Sequence, residues 1–578
     1  MWVYGDRTRR VTAADLLAEA EADLAAGDPL AALIGLGQLL QAVADAEFEA
    51  QGHDARSPAT DAITAALMEV AATAEAPGSL VLRQAQDEAT FNPREAAPTA
   101  GRRPPAELVE ARGRVAELAA YRTLPTAPLE ARIPEGYTFY ALQPALYAAA
   151  ARRLPPADWR VIGVRSIGTS LAAVAAAALD APAPVTVRPT GHPFARELRL
   201  SPELEAEWAA HPGQFVVVDE GPGLSGSSFG AVADALERLG VARERIAFLP
   251  GHDGDLGPQA APDHRTRWAA ALRPTASFRD VVLPRLQAGV EALVGSAAAP
   301  LRDLSGGAWR ELRRWPEPPP IHAGMERRKF LHTTADARWL VKFAGLGRIG
   351  RAKLDRALAL NAAGFTPEPA GLIEGFLVER WVEEAVPAAP SLEHLRAYLE
   401  ARMNLPAVPE AGASIETLAE MARINVGEAL GPEAGASAAD RTMFHVEHRR
   451  TYVDGRLHAW EWVRSSDGRL FKTDALDHSE AHDLIGAQDI AWDVAGAELE
   501  LQLAQKDVDD LSEHLQVHAD VLASMRLAYP AFQLGLWTMA AQSQAGWNDE
   551  GARAQAQADR YARRLATLLG VDPPPRRG

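Results

Sequence analysis

The chain contains no cysteine, which removes disulfides, thiolate metal sites and cysteine nucleophiles and leaves any metal to oxygen or imidazole ligands. Basic residues are outnumbered: 59 Lys and Arg against 77 Asp and Glu give a formal charge of −18. That surplus repels a phosphate backbone, so no general nucleic-acid binding is expected; a nucleic-acid-modifying enzyme would need a locally basic tract. Long apolar runs are also missing. The run Leu171 to Leu179 falls far short of the roughly 20 residues of a membrane span. Met1-Trp2-Val3-Tyr4-Gly5-Asp6-Arg7 is not followed by the apolar stretch of a signal peptide. No membrane partner and a cytoplasmic location are therefore expected. No repeat of fixed period is found.

What is present is an ordinary globular composition, 47% hydrophobic and 24% charged over 578 residues, too long for one core and suggestive of about three or four units. Residues 12 to 48 read as a helical pair, with Thr12 and Asp15 capping the first helix and Gly27-Asp28-Pro29 turning the chain into the second. The breaker-rich segment near 90–105 reads as a linker. From about 135 to 300, short β-branched runs alternate with helical ones, the pattern of a parallel sheet covered by helices. Its strands are Val161–Val164, Val185–Val187, Phe215–Val218 and Ile246–Leu249, with a helix from about Phe229 to Leu239. Trp315-Pro316-Glu317-Pro318-Pro319-Pro320 cannot continue a helix or a central strand and is read as a domain boundary. The expected division is a helical region over 1–130, an α/β domain over 131–315 and a further domain over 321–578.

The densest chemistry follows Phe215-Val216-Val217-Val218. Asp219 and Glu220 stand at the end of a buried strand, and Gly221-Pro222-Gly223-Leu224-Ser225-Gly226-Ser227-Ser228 leads into a helix. Strand ends in α/β sheets face the ligand crevice, and free N–H groups at a helix start attract phosphate. Ser225, Gly226, Ser227 and Ser228 can supply donors to phosphate, while Asp219 and Glu220 accept hydrogen bonds from ribose hydroxyls. A ligand-free glycine-rich turn is the plainer alternative. Arg188, His192 and Arg196 form either a basic cover over the crevice or an exposed basic loop; His252 and Asp253 either line it or only turn the chain.

An aliphatic strand, two acids and a short Ser/Gly loop leading to a helix resemble the type I phosphoribosyltransferases. That resemblance implies binding of phosphoribosyl pyrophosphate with Mg2+ and ribosyl transfer, with Asp219 and Glu220 as catalytic residues. The pyrophosphate loop falls on Arg165-Ser166-Ile167-Gly168-Thr169-Ser170. There Arg165, Ser166, Gly168 and Thr169 hold the leaving group, and Arg188 adds charge. The phosphate loop is about one residue longer than usual in the family.

In the C-terminal half, Lys342 sits in Trp339-Leu340-Val341-Lys342-Phe343, where burial without an anion is costly; a lysine snorkelling at a strand edge is the alternative. Phe376-Leu377-Val378-Glu379-Arg380-Trp381-Val382 resembles the hinge of protein-kinase-like phosphotransferases, including the aminoglycoside phosphotransferase family. Asp474, followed by Asp489 and Asp493, resembles that family's metal-binding aspartate and its Asp-x-x-x-Asp helix start. By that resemblance Lys342 and Glu379 bind the nucleotide, Asp474 and Glu461 hold Mg2+, and Asp489 and Asp493 brace the fold. The family's His-x-Asp loop is missing: with Glu461 in the place of its asparagine, Arg456 falls at the catalytic aspartate, and Asp454 is offered as a displaced base. His478 and His482, four apart, form an alternative metal pair.

The expected protein is an α/β multidomain chain: a helical N-terminal region, a parallel-sheet phosphoribosyltransferase-like domain and a two-lobed α+β kinase-like domain. It is expected to use phosphoribosyl pyrophosphate, ATP and Mg2+ on small-molecule substrates, making or modifying a nucleotide-like compound. The competing expectation is a non-catalytic sensor of nucleotide or phosphoribosyl pyrophosphate with a degenerate kinase domain.

Overall fold

The computed structural model describes residues 1–74, 106–119, 124–313, 315, 317–406, 412–480 and 482–573; the expected linker near 90–105 lies outside them. At the N-terminus, the Thr12 hydroxyl accepts the Asp15 N–H while the Asp15 carboxylate accepts from Thr12, starting helix Ala13–Ala25. Asp28 then caps helix Pro29–Gln51, which is apolar along most of its 23 residues. That apolarity is used internally: Leu33, Leu36, Leu39 and Leu40 pack against Ile63, Leu67, Val115 and Val174. The helical layer is not a free-standing unit. Strand Thr8–Val11 pairs antiparallel with Leu129–Arg132, and Val3 is fully buried in a cluster drawn from residues 344–565, with Leu484 N–H donating to its carbonyl at 3.0 Å.

Four parallel strands form the next layer, in the order Val185–Val187, Trp159–Val164, Gln214–Val218, Ile246–Leu249. Side chains alternate across it: Val216 and Val218 meet Leu171 and Tyr147 on one face, while Phe215 and Val217 meet Phe229 and Leu236 on the other. Burial on both faces explains why the strands read as unbroken apolar runs. The approach of strand and helix is close at Gly168, where a Cβ would lie 2.6 Å from the Val218 carbonyl oxygen.

Beyond it, five antiparallel strands stand in the order Pro369–Ile373, Phe376–Arg380, Arg338–Phe343, Lys329–Thr333, Arg302–Asp303. Trp339, Val341 and Phe343 point into a core shared with Leu286, Val290 and Tyr147 of the α/β layer, so the two sheets are joined by one apolar cluster. Lys342, on the opposite face, turns toward a cleft walled by a helical lobe whose centre is helix Ala519–Ser543.

Contacts reach across the proline run expected as a boundary between 315 and 321. Arg302–Asp303 already pairs with Phe330 and Leu331, and the intervening segment ties the antiparallel sheet to the helical lobe. Arg310 pairs with Glu550 at 2.6 Å, and Ala323 N–H donates to Gln544 at 2.7 Å. Four prolines exclude a helix and a central strand, but they suit a loop crossing between lobes.

Candidate functional sites

The first crevice lies at the C-terminal edge of the parallel sheet. Asp219 closes the central strand; its carboxylate accepts the Glu220 N–H at 2.8 Å, and its carbonyl accepts the Tyr147 hydroxyl at 2.8 Å. Burial pushes Asp219 up to about 6, against the Glu220 N–H and the charges of Arg196 and Arg188. Glu220 faces different neighbours. A Cβ at Gly136 would lie 2.7 Å from its Oε1. Burial, then Asp219 and Glu135, push its carboxyl up to about 8.

The expected pyrophosphate cations are engaged elsewhere. Arg165 is buried, its Nε donating to Asp45 at 2.8 Å, its Nη1 to the Thr186 carbonyl at 3.1 Å and its Nη2 to Asp54. Arg188 also pairs with Asp45 and donates to the Arg165 carbonyl at 3.0 Å. Both guanidinium groups, expected to serve a leaving group, thus pair with acids of the N-terminal helical layer. In the same loop Ser166 is half-buried, and the buried Thr169 hydroxyl has no partner.

The phosphate loop has internal partners too. Gly226 adopts φ +63°, a left-handed turn that lets helix Ser227–Arg238 begin. The Ser225 and Ser227 hydroxyls donate to the Pro193 carbonyl at 3.4 and 2.6 Å, pinning the tip of hairpin 190–197 onto the loop, and Ser228 is half-buried beside them. His192 and His252 accept backbone N–H groups from Phe194 and Gly254 at 3.2 and 3.1 Å, as turn residues do.

The second site, a cleft of about 210 Å³, is built from charges of both signs. Lys342 is paired with Asp474, and its Nζ lies 2.5 Å from Asp477 Oδ2. Burial works against its charge, but the two aspartates outweigh it and hold the ammonium above lysine's ordinary value. Asp477 also receives Lys353 at 2.7 Å, from helix Gly347–Ala362. Asp477 thus bridges Lys342 and Lys353. Asp474 adopts φ +58° and is held well below the usual carboxylate range because Lys342 and His478 outweigh its burial. Glu379 also lines the cleft, and burial, against the charge of Lys342, raises it to about 7.

Asp454 is corrected as a base: it is fully buried and does not line the cleft. Its carboxylate accepts the Tyr398 hydroxyl and lies 3.1 Å from Lys472 Nζ. The N–H groups of Asp454 and Gly455 donate to Asp493 at 2.7 and 2.9 Å. Two residues on, Arg456 lines the cleft instead. Asp489 accepts the Ala491 N–H at 2.9 Å at the start of helix Ala491–Glu500. The histidine pair also separates. His478 stays with Asp454, Glu461 and Asp474, which outweigh its burial and push it up to about 9. His482 meets Glu135 at 2.8 Å and stacks on Phe139.

Asp454, Glu461 and His478 place ligand atoms within 4.8 Å of one another, but the Lys472 ammonium already sits 2.7 Å from Glu461 and 3.1 Å from Asp454. Magnesium prefers carboxylate oxygens. Asp474 Oδ2 and Glu461 Oε1 flank His478 Nε2 at 3.4 and 3.9 Å; these are the cleft carboxylates that Mg2+ would take, each paired here with a lysine, Lys342 and Lys472.

Lys353 and Lys472 were not singled out by sequence reasoning. Lys472 ends the strand Leu470–Lys472, so the argument from a charge on an apolar strand that marks Lys342 applies to it equally. Trp309, Trp460 and Trp537, which also line the cleft, come from three distant segments with no common pattern.

No protein-family model matches the chain, and no curated protein matches it. Among solved structures it is similar to choline kinase LicA from Streptococcus pneumoniae, at 14% identity over 50% of this chain and 100% of that one, with a TM-score of 0.34. A choline/ethanolamine kinase family protein from Mesorhizobium loti is 16% identical over 51% of this chain and 100% of its own, with a TM-score of 0.30. A spectinomycin phosphotransferase solved with ADP and spectinomycin is 10% identical over 42% and 88%, with a TM-score of 0.28. At that level the likeness concerns general arrangement and carries no residue-level correspondence.

Proposed function

We propose that the cleft between the antiparallel sheet and the helical lobe binds ATP with Mg2+ and transfers its γ-phosphoryl group to a small molecule. The observation that carries this reading is Lys342, on the central strand of the antiparallel sheet, paired across the cleft with Asp474 and Asp477. A strand lysine facing an aspartate is the pair that phosphoryl transfer needs, one group for nucleotide phosphates and one for the metal. Asp474 and Glu461 would hold Mg2+, which when bound neutralises charge on the phosphate oxygens. Lys342 binds the phosphates, Lys353 and Asp477 hold it in position, and Glu379 lines the nucleotide pocket. Calorimetric titration of the full chain with ADP and Mg2+ tests this: binding that is lost in Lys342→Met and Asp474→Asn supports it, and absence of binding by the unaltered protein sinks it. Binding without transfer to any acceptor would favour a nucleotide sensor, a reading fed by Arg456 at the position expected for the base.

A second reading concerns the first crevice: phosphoribosyl pyrophosphate with Mg2+ as the donor of a pentosyl group. It is favoured by Asp219 at the end of a central parallel strand, followed by the Gly226 turn and a helix start. It is weakened by the engagement of Arg165 and Arg188. Titration with phosphoribosyl pyrophosphate and Mg2+, comparing the unaltered chain with Asp219→Asn/Glu220→Gln, decides it; equal or absent binding removes the reading.

A further inference from the structure

One end of the cleft is lined by Arg456, His458, Trp537 and His322. All four are at least nine-tenths buried, at 9%, 2%, 4% and 8% exposure. Among the described residues, Arg456 Nε, Trp537 Nε1 and His322 Nδ1 are buried nitrogens without a partner, while His458 Nδ1 lies 3.4 Å from Glu500 and its Nε2 has no partner. An unsatisfied buried polar group costs about 1–3 kcal/mol, so several around one cavity call for a ligand rich in acceptor oxygens. The surroundings fix these groups in place. Arg456 Nη2 lies 3.3 Å from Asp483, His322 Nε2 3.2 Å from the Tyr4 hydroxyl, and the His458 ring stacks on Trp460 at 4.2 Å.

Among the described residues the same end has no unpaired carboxylate to act as base, and its histidines are engaged, His458 by Glu500 and His322 by Tyr4. Of the acids lining the cleft, Glu461 is held by Lys472, Asp474 and Asp477 by Lys342 and Lys353, and Glu326 by Lys329; Glu379 stands on the antiparallel sheet beside Lys342. A hydroxyl acceptor must give up a proton during transfer, and in protein kinases an aspartate accepts it. An acceptor whose nucleophilic oxygen is already ionised at neutral pH needs no such group, and an arginine is then the better neighbour because it holds and orients the anion.

Building on the nucleotide-cleft reading, we infer that the acceptor is a phosphomonoester, bound through Arg456, His458, Trp537 and His322 and phosphorylated on its own phosphate. In this step an ionised phosphate oxygen of the acceptor attacks the γ-phosphorus of ATP. The new P–O bond forms as the bond to the β,γ-bridging oxygen breaks, the electron pair leaves with ADP, and no proton has to be removed. The product is a phosphoanhydride.

The test uses the full chain with Mg2+ and matched probes: ribose 5-phosphate against ribose, and glycerol 3-phosphate against glycerol. Calorimetry in the presence of ADP is expected to show each phosphomonoester binding at least tenfold more tightly than its neutral counterpart. Arg456→Gln is expected to abolish that preference, Arg456→Lys to keep part of it, and Trp537→Phe, which removes one N–H and little volume, to weaken it severalfold. With γ-labelled ATP, label passed to the phosphomonoester is expected in an acid-labile anhydride. ADP titration of the unaltered chain reads the nucleotide cleft separately. If ADP binds but ribose and ribose 5-phosphate bind equally, or label appears in an acid-stable ester of a neutral alcohol, the phosphomonoester inference is overturned while the cleft reading stands. If ADP itself does not bind, the cleft reading fails.

Discussion

Two pairs of acids, one in each crevice, meet opposite electrostatic fates. Asp219 and Glu220 are crowded together with Glu135 and have little cationic support, so burial drives their carboxyls up to about 6 and about 8. Asp477 is more enclosed and Asp474 less so, yet Lys342, Lys353 and Arg327 hold Asp477 far below its ordinary value, and Lys342 and His478 do the same for Asp474. The cations of the first crevice, Arg165 and Arg188, are matched instead to Asp45 and Asp54. The comparison teaches that acids near a crevice say little about ligand chemistry until their counter-charges are located.

The sharpest break between the two regions is expected from Lys353→Met, which leaves Asp477 short of a partner inside the protein. Losing one member of a buried ionic network costs about 3–5 kcal/mol, whereas Asp219→Asn at neutral pH should cost under about 1 kcal/mol. Urea unfolding followed by circular dichroism measures both, and equal losses would erase the distinction. Next in size, Lys342→Met or Asp474→Asn should weaken ADP binding about 10- to 100-fold, the scale of one charge-assisted hydrogen bond, while Asp219→Asn leaves it unchanged; titration calorimetry on folded variants reads this.

A smaller effect concerns pH. Raised carboxyls bind protons more tightly in the folded chain than in the unfolded one, so their contribution to stability is present below the unfolded value near 4.5 and falls as pH rises toward about 8. Glu220→Gln should therefore raise the melting temperature by about 2–4 °C at pH 8 and change it little at pH 4; the reverse order would mean that Glu220 is not raised. Smallest is Ser227→Ala, which removes the 2.6 Å bond to Pro193. About 1 kcal/mol of local stability should be lost, seen as faster hydrogen exchange in hairpin 190–197 with no change in ADP binding.

Local rules made much of this molecule legible. Unbroken aliphatic runs marked the parallel strands at Val161–Val164 and Phe215–Val218, and Thr12 and Asp28 marked helix starts, because strand burial and capping depend on near neighbours. Lys342 stood out as a charge on an apolar strand. The fate of Arg165 could not be read, since its partners Asp45 and Asp54 lie 120 and 111 residues away. Nor could the turning of Glu220 toward Gly136, which depends on how a separate segment packs over the strand end. The proline run misled because chain breakers report what a segment cannot be and leave open what it crosses.

The apolar cluster joining the two sheets bears on how the cleft can move. With Val341, Phe343 and Phe376 embedded beside Leu286 and Val290, the antiparallel sheet is fastened to the α/β layer and cannot swing by itself. The helical lobe is fastened to the same sheet through a second apolar cluster that joins Leu372 and Leu377 to Leu399 and Tyr398.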